Sequence, residues 1–345
     1  MKTRITEMFG IKYPIILSGM SWISVPKMVA AVSNAGGLGI LATGVFTAEE
    51  TRKAIHEIRK LTDKPFGANA TLYFPGANEN AKVLLEEQVP VINFSLGKGD
   101  WIVKGAQRYG GKVIATVVNA KHGKKAQDYG CDAVIATGYE AAAHGEAVSS
   151  MVLIPHLADA LKIPIIAAGG IGDGRGLAAA LALGADAVAM GTRFMTTKES
   201  PLHETYKKLS IEKEVYDTLF SPRIDGIYCR VLDTEAARKA ARRGFNPLLA
   251  LVNSYGIAKN LKLPYMKVFL GLMSQGYKTM KQMAHMALAF EAFQKATEEG
   301  DTASGILPVG QVTGLIHDQP SVAEVVERIV AQAKAQQQKL NDQFV

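Results

Sequence analysis

Pro164-Ile165-Ile166-Ala167-Ala168-Gly169-Gly170-Ile171-Gly172-Asp173-Gly174-Arg175-Gly176 carries the pattern that repeats along the chain. An apolar run of strand length stops at a glycine pair, and a glycine-rich turn opens a helical pattern from Arg175 to Leu183. Downstream, Ala187-Val188-Ala189-Met190 ends the same way in Gly191-Thr192-Arg193-Phe194. Runs that are apolar throughout belong to strands buried on both faces, as in a parallel sheet covered by helices. Upstream, Pro14 to Leu17, Leu38 to Ala42, Phe66 to Thr71, Val91 to Ser95, Val113 to Val118 and Ala133 to Ala136 read alike. Between strands lie helical stretches such as Pro26 to Ala35, Ala48 to Leu61 and Asn80 to Gln88. Eight such units predict an α/β fold, a (β/α)8 TIM barrel with its active site at the C-terminal strand ends. The competing open sheet would carry G-x-G-x-x-G after its first strand, and Ser18-Gly19-Met20-Ser21-Trp22-Ile23 does not match.

From Lys198 to Thr302 the alternation gives way to long helical patterns, broken at Ser221-Pro222, Gly226 and Asn246-Pro247. We expect a barrel over residues 1–197, a helical cap or substrate domain over 198–302, and a return to the barrel with a final helix over 303–345. Ser321 and Glu324 form a capping box at the start of that helix, and the tail from Gln336 is expected to fray. Met266, Phe269, Leu270 and Met273 make an apolar stripe that reads as core, with a homodimer surface as the alternative.

The 345 residues are 48% hydrophobic and 21% charged, which excludes disordered, collagen-like and disulfide-framework classes. The 39 basic residues exceed the 32 acidic ones by 7, but they are dispersed and lack an aromatic-basic repeat, so we expect no nucleic-acid partner. A mild positive balance suits an anionic cofactor or small-molecule substrate. No apolar run is long enough to cross a bilayer and Met1-Lys2-Thr3-Arg4 leads into Glu7, so we expect no membrane association and a cytoplasmic protein. Cys131 and Cys229 stand far apart and are expected to be reduced and structural; no histidine pair has metal-ligand spacing, so no metal is expected.

Barrel phosphate sites recur after the seventh and eighth strands, where glycines admit backbone N–H groups to phosphate oxygens. Gly169, Gly170, Gly191 and Thr192 are the predicted phosphate cradle. His144, after the sixth strand, is the candidate proton-transfer group, with a loop histidine held by Glu146 as the plainer alternative. His122, His156 and His203 have weaker claims because each follows or begins a helix away from the glycine loops. Gly19, Met20, Asn69 and Thr116 stand at or near other strand ends and suit a flavin, whose ring needs an apolar face, from Met20 or Trp22, and a few orienting polar groups.

These segments carry a resemblance. Tyr13 to Met20, Asn34 to Gly39, Phe66 to Asn69, Gly138-Tyr139-Glu140 with His144, Ala167 to Gly176, Met190 to Phe194 and Pro308-Val309-Gly310-Gln311 resemble the nitronate monooxygenase (2-nitropropane dioxygenase-like) family over nearly the whole chain. The resemblance implies a TIM barrel, non-covalent FMN, a pocket under the cap, and Gly138 as a further flavin contact. It implies an FMN-dependent oxidoreductase oxidising alkyl nitronates with O2, or alternatively an NAD(P)H-dependent quinone or enoyl-ACP reductase. Thr137 and Ala142-Ala143 replace the Gln and glycine pair of many members, and Phe220 to Gly226 with Cys229 to Leu232 resembles the cap insert of the quinone-reductase branch.

Overall fold

The computed structural model describes residues 1–73, 76–242, 255, 265–266 and 277–344. Eight parallel strands close a barrel in the order β1 (Ile15–Leu17), β2 (Leu38–Ala42), β3 (Phe66–Thr71), β4 (Val91–Ser95), β5 (Lys112–Val117), β6 (Ala133–Thr137), β8 (Ile165–Ala168) and β9 (Ala187–Met190). The interposed β7 (Ala143–His144) lies outside the barrel. Closure is made by β1 against β9, where Ile15, Ile16 and Leu17 register with Val188, Ala189 and Met190. Helix α1 (Arg4–Phe9) precedes the barrel, and α2 (Pro26–Asn34), α3 (Ala48–Leu61), α4 (Ala77–Glu86), α5 (Asp100–Gln107), α6 (Ala120–Asp128), α7 (Ser150–Ala160) and α8 (Gly174–Ala182) link the strands.

The period-two alternation of a strand divides the core in two. Ile15 and Leu17 join the layer between sheet and helices, whereas Ile16 packs inside the barrel with Ile40, Ile114 and Ile166. Ile5 and Phe9 of α1 join the inner cluster and plug its base. Arg4 fixes that plug by a forked hydrogen bond to Asp186, at 2.8 and 2.6 Å, just before β9. Gly39 lets α2 approach the sheet, since a Cβ there would stand 2.2 Å from the Val29 carbonyl.

Beyond β9 come α9 (Thr192–Met195), α10 (Glu204–Ile211), β10 (Thr218–Ser221), β11 (Cys229–Leu232), α11 (Glu235–Arg242), α12 (Tyr277–Gln294) and α13 (Val322–Gln343). The two strands are a departure from the helical insert expected above. Thr218-Leu219-Phe220-Ser221 and Cys229-Arg230-Val231-Leu232 are too short and too rich in β-formers to continue a helix, and they pair antiparallel, with β7 completing a three-stranded sheet. Helix α13 docks on α8 where Ile329, Gln332 and Ala333 crowd Gly174, with Gln332 accepting from Gly174 N at 3.0 Å, and its Ser321–Glu324 capping box forms. It continues to Gln343 instead of fraying at Gln336, because the Ala/Gln/Lys-rich end has good helix propensity and a Gln338–Asp342 hydrogen bond at 2.8 Å. Of the apolar stripe, Met266 is exposed; Phe269, Leu270 and Met273 lie outside the described residues. No helix among the described residues is long and apolar enough to cross a membrane.

Candidate active site

A cavity of about 650 Å³ opens at the C-terminal ends of the barrel strands. Of the predicted site residues, Gly19, Met20, Asn69, Thr116, His144, Gly169, Gly170, Gly191 and Thr192 all line it. Gly138 does not. A Cβ at Gly138 would stand 2.1 Å from Ser150 Oγ, so its glycine serves the packing of the loop after β6 on the start of α7 rather than a cavity contact.

The glycine loops form one rim. Gly169 and Gly170 have φ of +106° and +73°, a backbone open to glycine, and this turns their amides out of the β8 ladder. Thr192 Oγ1 accepts a 3.1 Å hydrogen bond from Gly310 N, drawing the C-terminal return onto the same rim. Among the described residues the N–H groups of Gly169, Gly170, Gly191 and Thr192 meet no protein acceptor. Unspent backbone amides gathered at two neighbouring strand ends favour an anion, so the arrangement fits a phosphate.

The loop after β1 is tied by Ser24, which accepts from Met20 N at 3.0 Å and donates to Ser18 O at 2.7 Å. Trp22 is held at φ +62°, an uncommon backbone for a bulky residue, with its ring edge-on to Phe290 at 4.7 Å. On the barrel floor Asn69 Nδ2 donates to Asn93 Oδ1 at 2.6 Å, and Asn93 Nδ2 donates to Thr116 Oγ1 at 3.1 Å. A carboxamide has two N–H donors and a hydroxyl one, so Asn69 keeps one donor, and Thr116 its own, for a cavity ligand. Apolar contact comes from Met20, Trp22, Met286, Phe290 and Phe293. Amide cradle, unspent floor donors and apolar walls together fit FMN.

His144 lies on β7, and the small sheet explains why a loop histidine is held in place. Its register partner on β11 is Cys229, and the loop between β10 and β11 brings Asp225 to it: His144 Nε2 and Asp225 Oδ2 are 2.6 Å apart. Asp225 is 3% exposed, and its second oxygen accepts from Ile227 N at 3.1 Å. A carboxylate that accepts from one ring nitrogen sets the tautomer and leaves the other, Nδ1, to exchange a proton. Glu146, which the plainer alternative made the holder of a loop histidine, instead accepts from Asn119 at 3.1 Å.

Behind this pair, Arg230 is 2% exposed, donates to Tyr139 O and Thr218 Oγ1, and lies between the Tyr139 and Phe220 rings at 4.4 and 5.0 Å. Glu140 accepts from Ser150 N and Oγ at the start of α7, so the loop is pinned on both sides of His144. Asp225, Arg230 and Glu140 were not expected from the sequence. The strand pattern around Cys229 was the available signal, since a strand there can pair with the histidine loop.

Cys131 and Cys229 are free and buried, and burial pushes both thiols up, Cys131 to about 12. His144, Asp225 and Cys229 place ligand-type atoms within 4.8 Å of one another, a grouping that sequence spacing could not reveal because β-pairing assembles it. The hydrogen bond between His144 and Asp225 already engages two of those atoms. His203 caps α10 by accepting from Thr205 N, and His156 lies in α7, but His122 lines the cavity, contrary to its weak sequence claim.

The nitronate monooxygenase family model matches residues 2–84 and 74–332. A curated relative, (3aS,4S,5R,7aS)-5-hydroxy-7a-methyl-1-oxo-octahydro-1H-indene-4-carboxyl-CoA dehydrogenase of Rhodococcus jostii, is 36% identical over 340 residues, covering 96% of each chain. A "Probable nitronate monooxygenase" of Staphylococcus saprophyticus is 31% identical over 286 residues, covering 69% of this chain and 81% of that protein. The structure of FabK from Thermotoga maritima superposes with a TM-score of 0.82 at 36% identity, covering 99% of both chains. A closed barrel with glycine-lined strand ends, a histidine at its mouth, the family model's match over most of the chain and these likenesses lead to one conclusion: the chain belongs to the nitronate monooxygenase family of oxidoreductases.

Proposed function

We propose that the protein is an FMN-dependent oxidoreductase acting on an acyl thioester, with NAD(P)H as its electron partner. The observation that carries this reading is the His144–Asp225 pair at the cavity wall, facing barrel and cap residues that offer an apolar acyl pocket. FMN, when bound, exchanges an electron pair with the substrate. His144, held through Nε2, gives or takes a proton at the thioester α-carbon through Nδ1, and Asp225 holds the ring in that role. Gly169, Gly170, Gly191 and Thr192 would hold the phosphate, Asn69 and Thr116 the polar edge of the ring system, and Met20 its apolar face. Trp22, Phe290 and Phe293, which line the cavity, would limit water at the reacting centre.

The relatives matched over almost their whole length favour the thioester. One is named a CoA dehydrogenase and another is FabK, an enoyl reductase. Oxidation of an alkyl nitronate by O2 is the second reading, favoured by the family model and the nitronate monooxygenase relatives. There the imidazole would hold the nitronate oxygens instead of moving a proton.

Anaerobic mixing separates the two. We expect the flavin band to bleach with NADH or NADPH and to return on adding an enoyl-CoA. Bleaching by a nitronate, coupled to oxygen uptake in air and with no response to any thioester, would replace the first reading by the second.

A further inference from the structure

The cavity has a second polar wall that the chemistry above leaves unused. Lys98, His122 and Lys125 line it, and Lys121 and Lys124 are exposed beside them on α6. Lys98 follows β4, which stands four strands from β9 in either direction round the barrel, so this wall lies across the mouth from the glycine cradle of Gly191 and Thr192. Among the described residues none of the five side chains has a carboxylate within the 4.0 Å of an ion pair; Lys125 sits over the Tyr129 ring at 5.8 Å. The first turn of α6 holds no acid, so its cations oppose the helix dipole and one another, a repulsion that an anion seated among them would offset.

The wall is also close to the proton-transfer residue. Glu146 bonds the N-cap of α6, Asn119, and stands two residues after His144, a stretch that spans at most about 7 Å.

We propose that this basic wall binds the phosphates of a coenzyme A carrier, a diphosphate beside a ribose 3′-phosphate, while the pantetheine arm crosses the cavity to present the thioester at His144. The proposal rests on the thioester reading. NADPH carries similar chemistry, a diphosphate with a ribose 2′-phosphate, and the test separates the two sources.

Adenosine 3′,5′-bisphosphate, NADPH and NADH are each titrated calorimetrically into the FMN-loaded protein and into the Lys98→Gln, Lys121→Gln, Lys124→Gln, Lys125→Gln variant. Flavin absorbance and melting temperature verify folding, and single Lys98→Gln and Lys125→Gln variants stand in should the quadruple fail. The expected result is bisphosphate binding that weakens with salt and falls about tenfold or more in the quadruple variant, with NADH affinity unchanged. Undetectable bisphosphate binding in the parent, equal binding in the variants, or a loss confined to NADPH overturns the proposal. Bisphosphate binding without turnover of any acyl-CoA would retain this site and refute the thioester reading; turnover of acyl-pantetheine and acyl-CoA at equal KM without bisphosphate binding would do the reverse.

Discussion

Replacing Asp225 by Asn tests whether the carboxylate orients His144 for chemistry. The substitution keeps size and shape, and the amide oxygen can still accept from Ile227 N, so the turn of the β10–β11 loop is expected to survive. What changes is the 2.6 Å contact with His144 Nε2, which loses its charge and can reverse its donor sense. A hydrogen bond to a charged group contributes about 1.5–3 kcal/mol. At about 1.4 kcal/mol per factor of ten, that is about 10- to 150-fold in any step that needs the oriented imidazole. The assay is anaerobic stopped-flow at 450 nm, which follows reoxidation of the NADH-reduced flavin by an enoyl-CoA. We expect reduction by NADH to change less than threefold, since it needs no proton from His144, and reoxidation to slow by the stated range. A variant with full flavin content that reoxidises within twofold of the parent would refute a positioning role for Asp225.

Three other substitutions probe different parts of the account. His144→Ala should retain FMN by absorbance yet lose at least tenfold in thioester turnover, because positioned proton-transfer groups contribute about 10²- to 10⁴-fold. Gly191→Val places a Cβ 3.1 Å from the flexible Met20 Sδ and no other protein atom nearer than 3.8 Å, so we expect a folded barrel by circular dichroism with FMN affinity at least tenfold weaker. Burial pushes the Asp318 carboxyl up, but hydrogen bonds from Arg193 and Arg328 outweigh it and hold the group below the ordinary carboxylate value. This stabilisation is complete above about pH 4, near the unfolded value, and is lost as pH falls through the lower folded value. Asp318→Asn should therefore cost about 1–2 kcal/mol in urea unfolding at pH 7, discounted because the Asp318 side chain is 44% exposed, and the gap from the parent should narrow below pH 4.

The barrel was legible because its strands announce themselves locally: Ile165 to Ala168 and Ala187 to Met190 are continuous apolar runs that stop at glycines, and the structure places strands over those residues. That Gly169, Gly170 and Gly191 would line the cavity was legible for the same reason, since glycine directly after a strand is a local signal. The partner of His144 was not. Asp225 is 81 residues away in sequence, and only the pairing of β7 with β11 brings the two within 2.6 Å. Glu146, the carboxylate near His144 in sequence, bonds Asn119 instead. Long helical patterns in the insert hid β10 and β11, four residues each, in a window that helices dominate. Gly138, offered by the family resemblance alone, packs on Ser150 and is absent from the cavity lining.

Backbone amides at two neighbouring strand ends are proposed to grip a flavin phosphate. Titrating the flavin-free protein with FMN and with riboflavin, followed by quenching of flavin fluorescence, isolates that phosphate. The cradle predicts FMN binding at least about 100-fold tighter than riboflavin, equivalent to about 2.7 kcal/mol from charge-assisted N–H contacts, with the advantage reduced in Gly191→Val. Equal affinity for the two flavins, or binding of neither, would contradict it.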